Sequence, residues 1–151
     1  MLSYQNSVVI FSLNKSPLAR IKKEGVSKMA GDRKKIIAVD DNPENLGALK
    51  NTLKEIYMVY PCPSAPEMFE LLEHVLPNLI LLDVEMPGMN GYEAIKKLKS
   101  DDKYRDIPVI FLTSMNDEQS EKDGLSLGAV DYIHKPFVSP QLHERIKTHL
   151  S

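Results

Sequence analysis

Polar side chains that could act together in phosphoryl chemistry follow four apolar stretches of this sequence, each where the stretch ends. They are Asp40 and Asp41, Asp83, Thr113 and Ser114, and Lys135. Three carboxylates brought together repel one another unless a cation lies between them, and a small set of oxygen ligands suits Mg²⁺, which shares its other positions with water and phosphate. A lysine and a threonine could bind phosphoryl oxygens. Because no serine, cysteine or histidine with a base partner is evident, the nucleophile would be a carboxylate.

The apolar stretches are predicted to be the strands of a parallel sheet, since continuous apolar runs are typical of strands buried on both faces. They lie at Lys35–Val39, Ile56–Cys62, Leu79–Leu82, Ile107–Leu112 and, after a turn, Gly128–His134. Helical patterns separate them, so strand and helix alternate five times. This predicts a doubly wound α/β fold, with a five-stranded parallel sheet and helices on both faces. The carboxyl ends of parallel strands share one edge, where the polar residues would converge.

Capping residues, prolines and a glycine mark the predicted helix starts. These are Asn42-Pro43, Ser64, Gly91, Asn116 and Ser139-Pro140. The fourth helix is more polar and is interrupted by Gly124, and the lysines of the third, Lys96, Lys97 and Lys99, are expected to form a solvated face. Any single polar residue of the set could instead cap a turn or a helix. The agreement of four strand ends is what favours a functional site.

Composition bounds the kinds of protein that fit. The chain has 151 residues, enough for one domain, with 42% hydrophobic and 26% charged residues. A formal net charge of -2 gives no sign of nucleic-acid binding. The single cysteine, Cys62, excludes an internal disulfide and a cysteine-based metal cluster and fits a reducing cytoplasm.

Residues 1–33 differ in composition from the rest of the chain. They are predicted to be an N-terminal extension, with the folded domain at 34–151. Their apolar part, Val8–Leu13, is too short to span a membrane, and its flanks do not fit a secretory signal. A basic, polar stretch, Lys15–Lys35, follows. It is interpreted as a flexible, solvated linker or a start-site artefact, and the alternative is an arm that packs on a partner.

The set Asp40-Asp41, Asp83, Thr113 and Lys135-Pro136-Phe137 resembles the receiver domain of two-component response regulators, over roughly residues 34–150. Thr113 lies 30 positions after Asp83, and Lys135 lies 22 positions after Thr113, as in that family. The flanking phrases are also similar. They are Met86–Gly91 after the aspartate and Gly128–Tyr132 before the lysine. The resemblance implies a flavodoxin-like sheet with strand order 2-1-3-4-5.

The resemblance also implies roles for the site residues. Asp83 would accept a phosphoryl group from a sensor histidine kinase or a phosphotransfer protein. Asp41 and Asp83, with the backbone carbonyl of Glu85, would bind Mg²⁺, or Mn²⁺ in its place. Asp40 would complete the metal site through a metal-bound water, and Lys135 would pair with Asp83 and later with the phosphoryl group.

Further implications concern the switch. The Lys135–Pro136 peptide bond is expected to be cis. Thr113 would move towards the phosphoryl group and Tyr132 would turn inward behind it, reshaping the face of the fourth helix, fifth strand and fifth helix. That face could mediate a homodimer or act on an output domain. The domain itself would promote only its own phosphorylation and dephosphorylation and would bind neither nucleic acid nor membrane.

Other functions stay open at this point. An aspartyl-phosphate phosphohydrolase would use a second carboxylate where Glu85 lies, although Met86-Pro87 does not fit that pattern. A degenerate receiver serving only as an interaction module would not need the intact set. The ending Leu142–Leu150 resembles receivers that continue into larger chains, often cyclic-dinucleotide enzymes or hybrid kinases, and a free-standing receiver is the alternative.

Overall fold

The computed structural model describes residues 33–150. The predicted N-terminal extension, apart from Arg33, lies outside the described residues, as does Ser151. Within the described range, every helix is too short or too polar to cross a membrane.

Five parallel strands form one sheet in the order β2-β1-β3-β4-β5, which confirms the predicted fold class. The strands are β1 (Lys35–Val39), β2 (Met58–Cys62), β3 (Leu79–Leu82), β4 (Val109–Thr113) and β5 (Asp131–His134). The helices between and after them are α1 (Pro43–Leu53), α2 (Ala65–Leu72), α3 (Gly91–Lys99), α4 (Glu118–Ser126) and α5 (Ser139–Leu150). The order reverses between β1 and β3, which is where open sheets of this kind form their ligand crevice.

Helices cover both faces of the sheet and make two apolar cores. On one face, Leu49 and Leu53 of α1 and Leu142 and Ile146 of α5 pack on the sheet. On the other, α2, α3 and the α4 side pack around Phe111 and its neighbours. The central strands β3 and β4 are buried along their whole length, which explains why their sequences are continuous apolar runs.

Strand β2 is an edge of the sheet and contains a proline. The Cys62 carbonyl accepts a hydrogen bond from the Asp40 amide, and the Met58 amide donates to the Lys34 carbonyl, so alternate residues of β2 face β1. The nitrogen of Pro61 therefore faces away from the sheet, the arrangement in which a strand tolerates proline. The strand ends at Cys62, as the sequence predicted.

Most element boundaries differ from the predicted ones by a few residues. Strand β2 begins at Met58, because Ile56 and Tyr57 close the end of α1 through bonds to the Leu53 carbonyl. Strand β4 begins at Val109, and α4 is shorter than predicted. Helix α5 begins at Ser139 itself, with the carbonyl of Val138 accepting its first hydrogen bond.

Lys99 does not belong to a solvated face, which corrects the prediction for the third helix. Its ammonium donates to the carbonyls of Arg105 (3.0 Å) and Ile107 (3.1 Å). Burial lowers the pKa of Lys99, and the charge of Asp106 partly offsets this. Lys96 and Lys97 are exposed as predicted, although Lys97 lies over the Phe69 ring.

Candidate functional site

The predicted polar residues lie together at the carboxyl edge of the sheet. Asp40 follows β1, Asp83 follows β3, Thr113 is the last residue of β4, and Lys135 follows β5. Because these four strands are neighbours in the sheet, their ends lie side by side. The site is thus a product of the topology, assembled from segments that are far apart in the chain.

The three carboxylates form a compact acidic group. Asp40, Asp41 and Asp83 each offer a ligand atom within 4.8 Å of the others. Asp40 and Asp83 are buried, with 2% and 6% of their surface exposed, whereas Asp41 faces solvent. An all-oxygen donor set with one open side fits a hard divalent cation that keeps some of its waters. These residues could therefore hold Mg²⁺ or a similar ion.

Local structure at the start of α1 fixes the Asp40 side chain. Its carboxylate accepts hydrogen bonds from the Asn42 amide (2.9 Å) and the Asn45 side chain (3.2 Å). Asn42 in turn caps α1 by accepting from the amides of Glu44 and Asn45, as its sequence position predicted. The contact from Asn45 was missed, since a helix-surface asparagine carries no signal of its partner.

Lys135 joins the two buried carboxylates. Its ammonium contacts Asp40, and it lies 3.3 Å from Asp83, with 16% of its side chain exposed. The resemblance implied only the pairing with Asp83, so the closer contact with Asp40 is an addition. The Lys135 amide donates to the Thr113 carbonyl, and the expected cis peptide bond to Pro136 is confirmed.

The environment of Asp83 disfavours its charge. Burial raises the pKa of Asp83, while the charge of Lys135 lowers it and that of Asp40 raises it further. Hydrogen bonds from the Thr113 hydroxyl and from Lys135 stabilise the carboxylate in part. Thr113 is fully buried, and its hydroxyl also accepts from the Met115 amide at 3.3 Å. A cation at the acidic group would favour the ionised form of Asp83.

The loop after Asp83 is held tightly against the site. The amide of Gly91, at the start of α3, donates to the Val84 carbonyl (2.9 Å). A Cβ on Gly91 would lie 2.3 Å from the carbonyl oxygen of Asp83, so only glycine fits. Asn90 and Glu93 form a reciprocal capping box at the same helix end, although the sequence predicted only Gly91 as the helix start.

Glu85 lies in the loop after Asp83, and its side chain bonds to the loop after β4. Its amide donates to the Asp83 carboxylate (3.3 Å), and its own carboxylate accepts from the Ser114 hydroxyl (3.0 Å). The sequence predicted a role for the Glu85 backbone carbonyl and, under the phosphohydrolase alternative, for its carboxylate, but it did not predict the contact with Ser114. The contact joins the loops after β3 and β4 over the exposed side of the site.

Tyr132 is buried, with 5% of its surface exposed, and its hydroxyl donates to the Met115 carbonyl at 3.0 Å. Its ring packs on Phe111, with centroids 6.0 Å apart. Burial and, next, contact with Tyr92 raise the pKa of the Tyr132 hydroxyl above its ordinary value. In this structure the Tyr132 side chain thus lies inward, against Phe111.

A cavity of about 380 Å³ opens beside Lys135, between α1 and the segment that joins β5 to α5. Its lining is mainly apolar, with Leu49, Leu112, Pro136 and Phe137 among the contributors. The cavity therefore lies next to the acidic group, on the α1 side.

Comparisons with known proteins identify the family. Residues 36–147 match the model of the response regulator receiver domain, so the chain belongs to this family. It is 40% identical over 115 residues to the "Probable cyclic di-GMP phosphodiesterase" of Vibrio cholerae, covering 76% of this chain and 26% of that protein. It is 36% identical over 115 residues to "Response regulator PleD" of Caulobacter vibrioides, covering 76% of this chain and 25% of that protein. The chain therefore spans about a quarter of these relatives.

Solved structures show the same fold. The signal receiver domain of a signal transduction histidine kinase from Syntrophus aciditrophicus has a TM-score of 0.71 at 35% identity, covering 78% of this chain and 89% of that one. A CheY-like receiver domain protein from Methanospirillum hungatei has a TM-score of 0.73 at 31% identity, covering 79% and 94%. The flavodoxin-like receiver fold predicted from the sequence is confirmed.

Proposed function

We propose that this domain is a phosphoacceptor switch in which Asp83 is the residue that is phosphorylated. The observation that supports this best is the acidic group of Asp40, Asp41 and Asp83, with the Lys135 ammonium 3.3 Å from Asp83. Carboxylates with only a structural role would not normally lie this close together with two of them buried, because their mutual repulsion disfavours the fold. A cation and a phosphoryl group would turn that arrangement into a binding site.

The transfer is a displacement at phosphorus. An oxygen of the Asp83 carboxylate attacks the phosphorus of a phosphohistidine, an O–P bond forms, and the P–N bond breaks. The electron pair of the broken bond stays on the imidazole nitrogen, which takes a proton as the neutral ring leaves. Lys135 and Thr113 would contact oxygens of the resulting acyl phosphate, the lysine as a point charge and the threonine as a hydrogen-bond donor.

Asp41 and Asp83 would hold Mg²⁺ or Mn²⁺, together with the backbone carbonyl of Glu85, and Asp40 would contribute through a metal-bound water. When bound, the ion would neutralise carboxylate charge and coordinate a phosphoryl oxygen. Within the protein, Lys135 holds Asp40 and Asp83 in place, and the α1 start fixes Asp40.

The donor would be a sensor histidine kinase or a phosphotransfer protein, reaching Asp83 past the apolar cavity beside Lys135. Phosphorylation would draw Thr113 towards the new group and stabilise the inward Tyr132, changing the face of α4, β5 and α5. Through that face the domain would control an output domain or a partner, and it could form a homodimer. The relatives carry different activities in their names, so no single output is proposed.

Acetyl phosphate with Mg²⁺ tests the proposal, with intact-mass spectrometry as the measurement. We expect one phosphoryl adduct per chain that is stable in acid and labile in base. Asp83→Ala should abolish the adduct, and removing divalent ions with EDTA should prevent its formation. Asp102→Asn is the matched control, because Asp102 is exposed and pairs with the neighbouring Arg105, away from the site.

An unmodified wild-type protein under these conditions would contradict the proposal. An adduct that persists in Asp83→Ala would show that another residue is the acceptor. Repeated turnover of a phosphate ester would instead favour the phosphohydrolase alternative, with Glu85 as its second carboxylate.

A further inference from the structure

A side-chain hydroxyl of α3 bonds to the backbone of α4. Tyr92, in the first turn of α3, donates a hydrogen bond of 2.7 Å to the backbone carbonyl of Ser120, in the first turn of α4. The Tyr92 ring packs edge-on against Phe111 of β4, with centroids 5.4 Å apart and planes at 89°. The ring contact fixes the direction of the hydroxyl, so the bond is a defined link between two helices.

Helix α4 buries little apolar surface of its own. Its only buried residues are Ser120 and Gly124, so it places no large apolar side chain fully in the core. Gly124 lets the helix approach closely, since a Cβ there would lie 3.0 Å from Phe111 and 3.1 Å from Tyr132. An element with little apolar burial lies at the low end of local stability. Besides the Tyr92 hydrogen bond, α4 is held by this close packing of Gly124 and by the contact of Glu121 with His134 of β5 at 3.4 Å.

The start of α3, which carries Tyr92, packs against the candidate phosphoacceptor Asp83. Gly91 precedes Tyr92 directly and packs against the backbone of Asp83 and Val84. The capping box of Asn90 and Glu93 makes this end of α3 rigid. A shift in the Asp83 loop would therefore be carried to the Tyr92 side chain without an intervening flexible segment.

We propose that Tyr92 is a positioning residue that links the backbone of Asp83 to the first turn of α4. This inference rests on the proposed function for its signalling role. The Tyr92 side chain contacts that of Tyr132, but its bond to α4 is its own. The Tyr132 hydroxyl bonds to Met115, ahead of α4, and comes from β5. Tyr92 reaches α4 itself and comes from the helix that follows the Asp83 loop.

Tyr92→Phe tests the link, because phenylalanine keeps the ring contact with Phe111 and removes only the hydroxyl. Amide hydrogen exchange of the unliganded protein is the first measurement. We expect exchange in residues 118–126 to be about two- to tenfold faster, the effect of losing one hydrogen bond on a local opening equilibrium. Exchange in the strands should be unchanged.

Tyr104→Phe is the matched control. The Tyr104 hydroxyl also donates to a backbone carbonyl, that of Leu72, at 3.4 Å, but it lies on the α2 side of the molecule, away from α4. Exchange in α4 should match wild type in this variant. Unchanged α4 exchange in Tyr92→Phe, or an equal increase throughout the chain, would overturn the inference.

The second measurement repeats the exchange with Mg²⁺ and beryllofluoride, a phosphoryl mimic. If wild type responds in α4, the response in Tyr92→Phe should be reduced by half or more, while protection of the Asp83 loop is retained. A full α4 response in the variant would overturn the coupling role. A wild type without any response would contradict the proposed function, and the unliganded comparison would still decide whether Tyr92 positions α4.

Discussion

Asp83 stands in an environment that suits its proposed chemistry better than it suits folding. Burial raises its pKa, and contacts with Lys135, Thr113 and the Glu85 amide offset only part of the cost of its charge. Functional sites often retain such unfavourable groups, and removing them is a common way to stabilise a protein. The residue is therefore expected to trade stability for reactivity.

Asp83→Asn should make the metal-free protein more stable at pH 7, by about 0.5–2 kcal/mol. The amide keeps the shape of the side chain and removes the charge next to Asp40. Urea unfolding with EDTA present measures the change, and Asp102→Asn, at an exposed site, should leave stability nearly unaltered. A loss of stability in Asp83→Asn would contradict this account of the site.

The pH dependence of this effect has a defined sign. Because folding raises the pKa of Asp83, the folded protein holds a proton there more readily than the unfolded chain does. The stability that protonated Asp83 contributes is fully present below its ordinary pKa of 3.8. It is lost as the pH rises through the pKa of Asp83 in the folded protein. The advantage of Asp83→Asn should therefore shrink as the pH is lowered towards 4.

Lys135→Met should destabilise the protein by about 2–4 kcal/mol, since removing one partner leaves buried charge uncompensated. Both carboxylates that lose the lysine are buried, whereas the ammonium keeps some contact with water. Denaturant unfolding measures the loss. Adding Asp83→Asn to Lys135→Met should recover part of the lost stability. If the stability changes of the two substitutions simply add, Lys135 and Asp83 do not interact.

At the scale of elements, the loop from β3 to α3 is the most constrained. Gly91→Ala should destabilise the fold by more than about 2 kcal/mol, because the new Cβ would overlap the Asp83 carbonyl and Val84. The gain in helix propensity, about 1 kcal/mol, is too small to compensate. Thermal unfolding measures the result.

Gly47→Ala is the matched control for this prediction. Gly47 is an exposed residue inside α1, and a Cβ at this position would have no neighbouring atom within 4 Å. Alanine there should stabilise the protein by about 0.5–1 kcal/mol through helix propensity. If both substitutions changed stability in the same direction, backbone crowding at Gly91 would not be the reason for its glycine.

The sequence predicted the elements well where local signals are strong. The apolar run Leu79–Leu82 is strand β3, buried on both faces, and Asn42 and Ser64 cap α1 and α2. Apolar runs and capping residues were therefore enough to locate these elements. Helix α4 was placed too broadly, because its polar residues give weak periodicity. The contacts of Lys99, Asn45 and Tyr92 were missed for another reason: their partners lie in other segments, and spacing along the chain does not encode them.

For the site, the sequence supplied the residue types, and the fold supplies their proximity. Four strand ends could be predicted to share an edge once a parallel sheet was inferred. The pairing of Lys135 with Asp40 could not, because it depends on side-chain geometry across the sheet edge. The link between Glu85 and Ser114 has the same origin.

At the scale of the molecule, the acidic group exists only when β1 and β3 are paired, so a metal that binds there should stabilise the fold. Mg²⁺ at ten times its dissociation constant should add about 1.4 kcal/mol, and the midpoint of thermal unfolding should rise by a few degrees. Differential scanning fluorimetry measures the shift. Asp41→Asn should reduce it, and an equal shift in that variant would place the ion elsewhere.

Pro61 has a consequence for the behaviour of many copies of the protein in solution. An edge strand with free amides can pair with the edge of another molecule and begin aggregation. The outward-facing Pro61 removes one such donor from β2. Pro61→Val should restore the donor and raise strand propensity, so light scattering on mild heating should increase at high protein concentration. Pro61 would then keep the protein from aggregating, a requirement on the sheet that is separate from signalling.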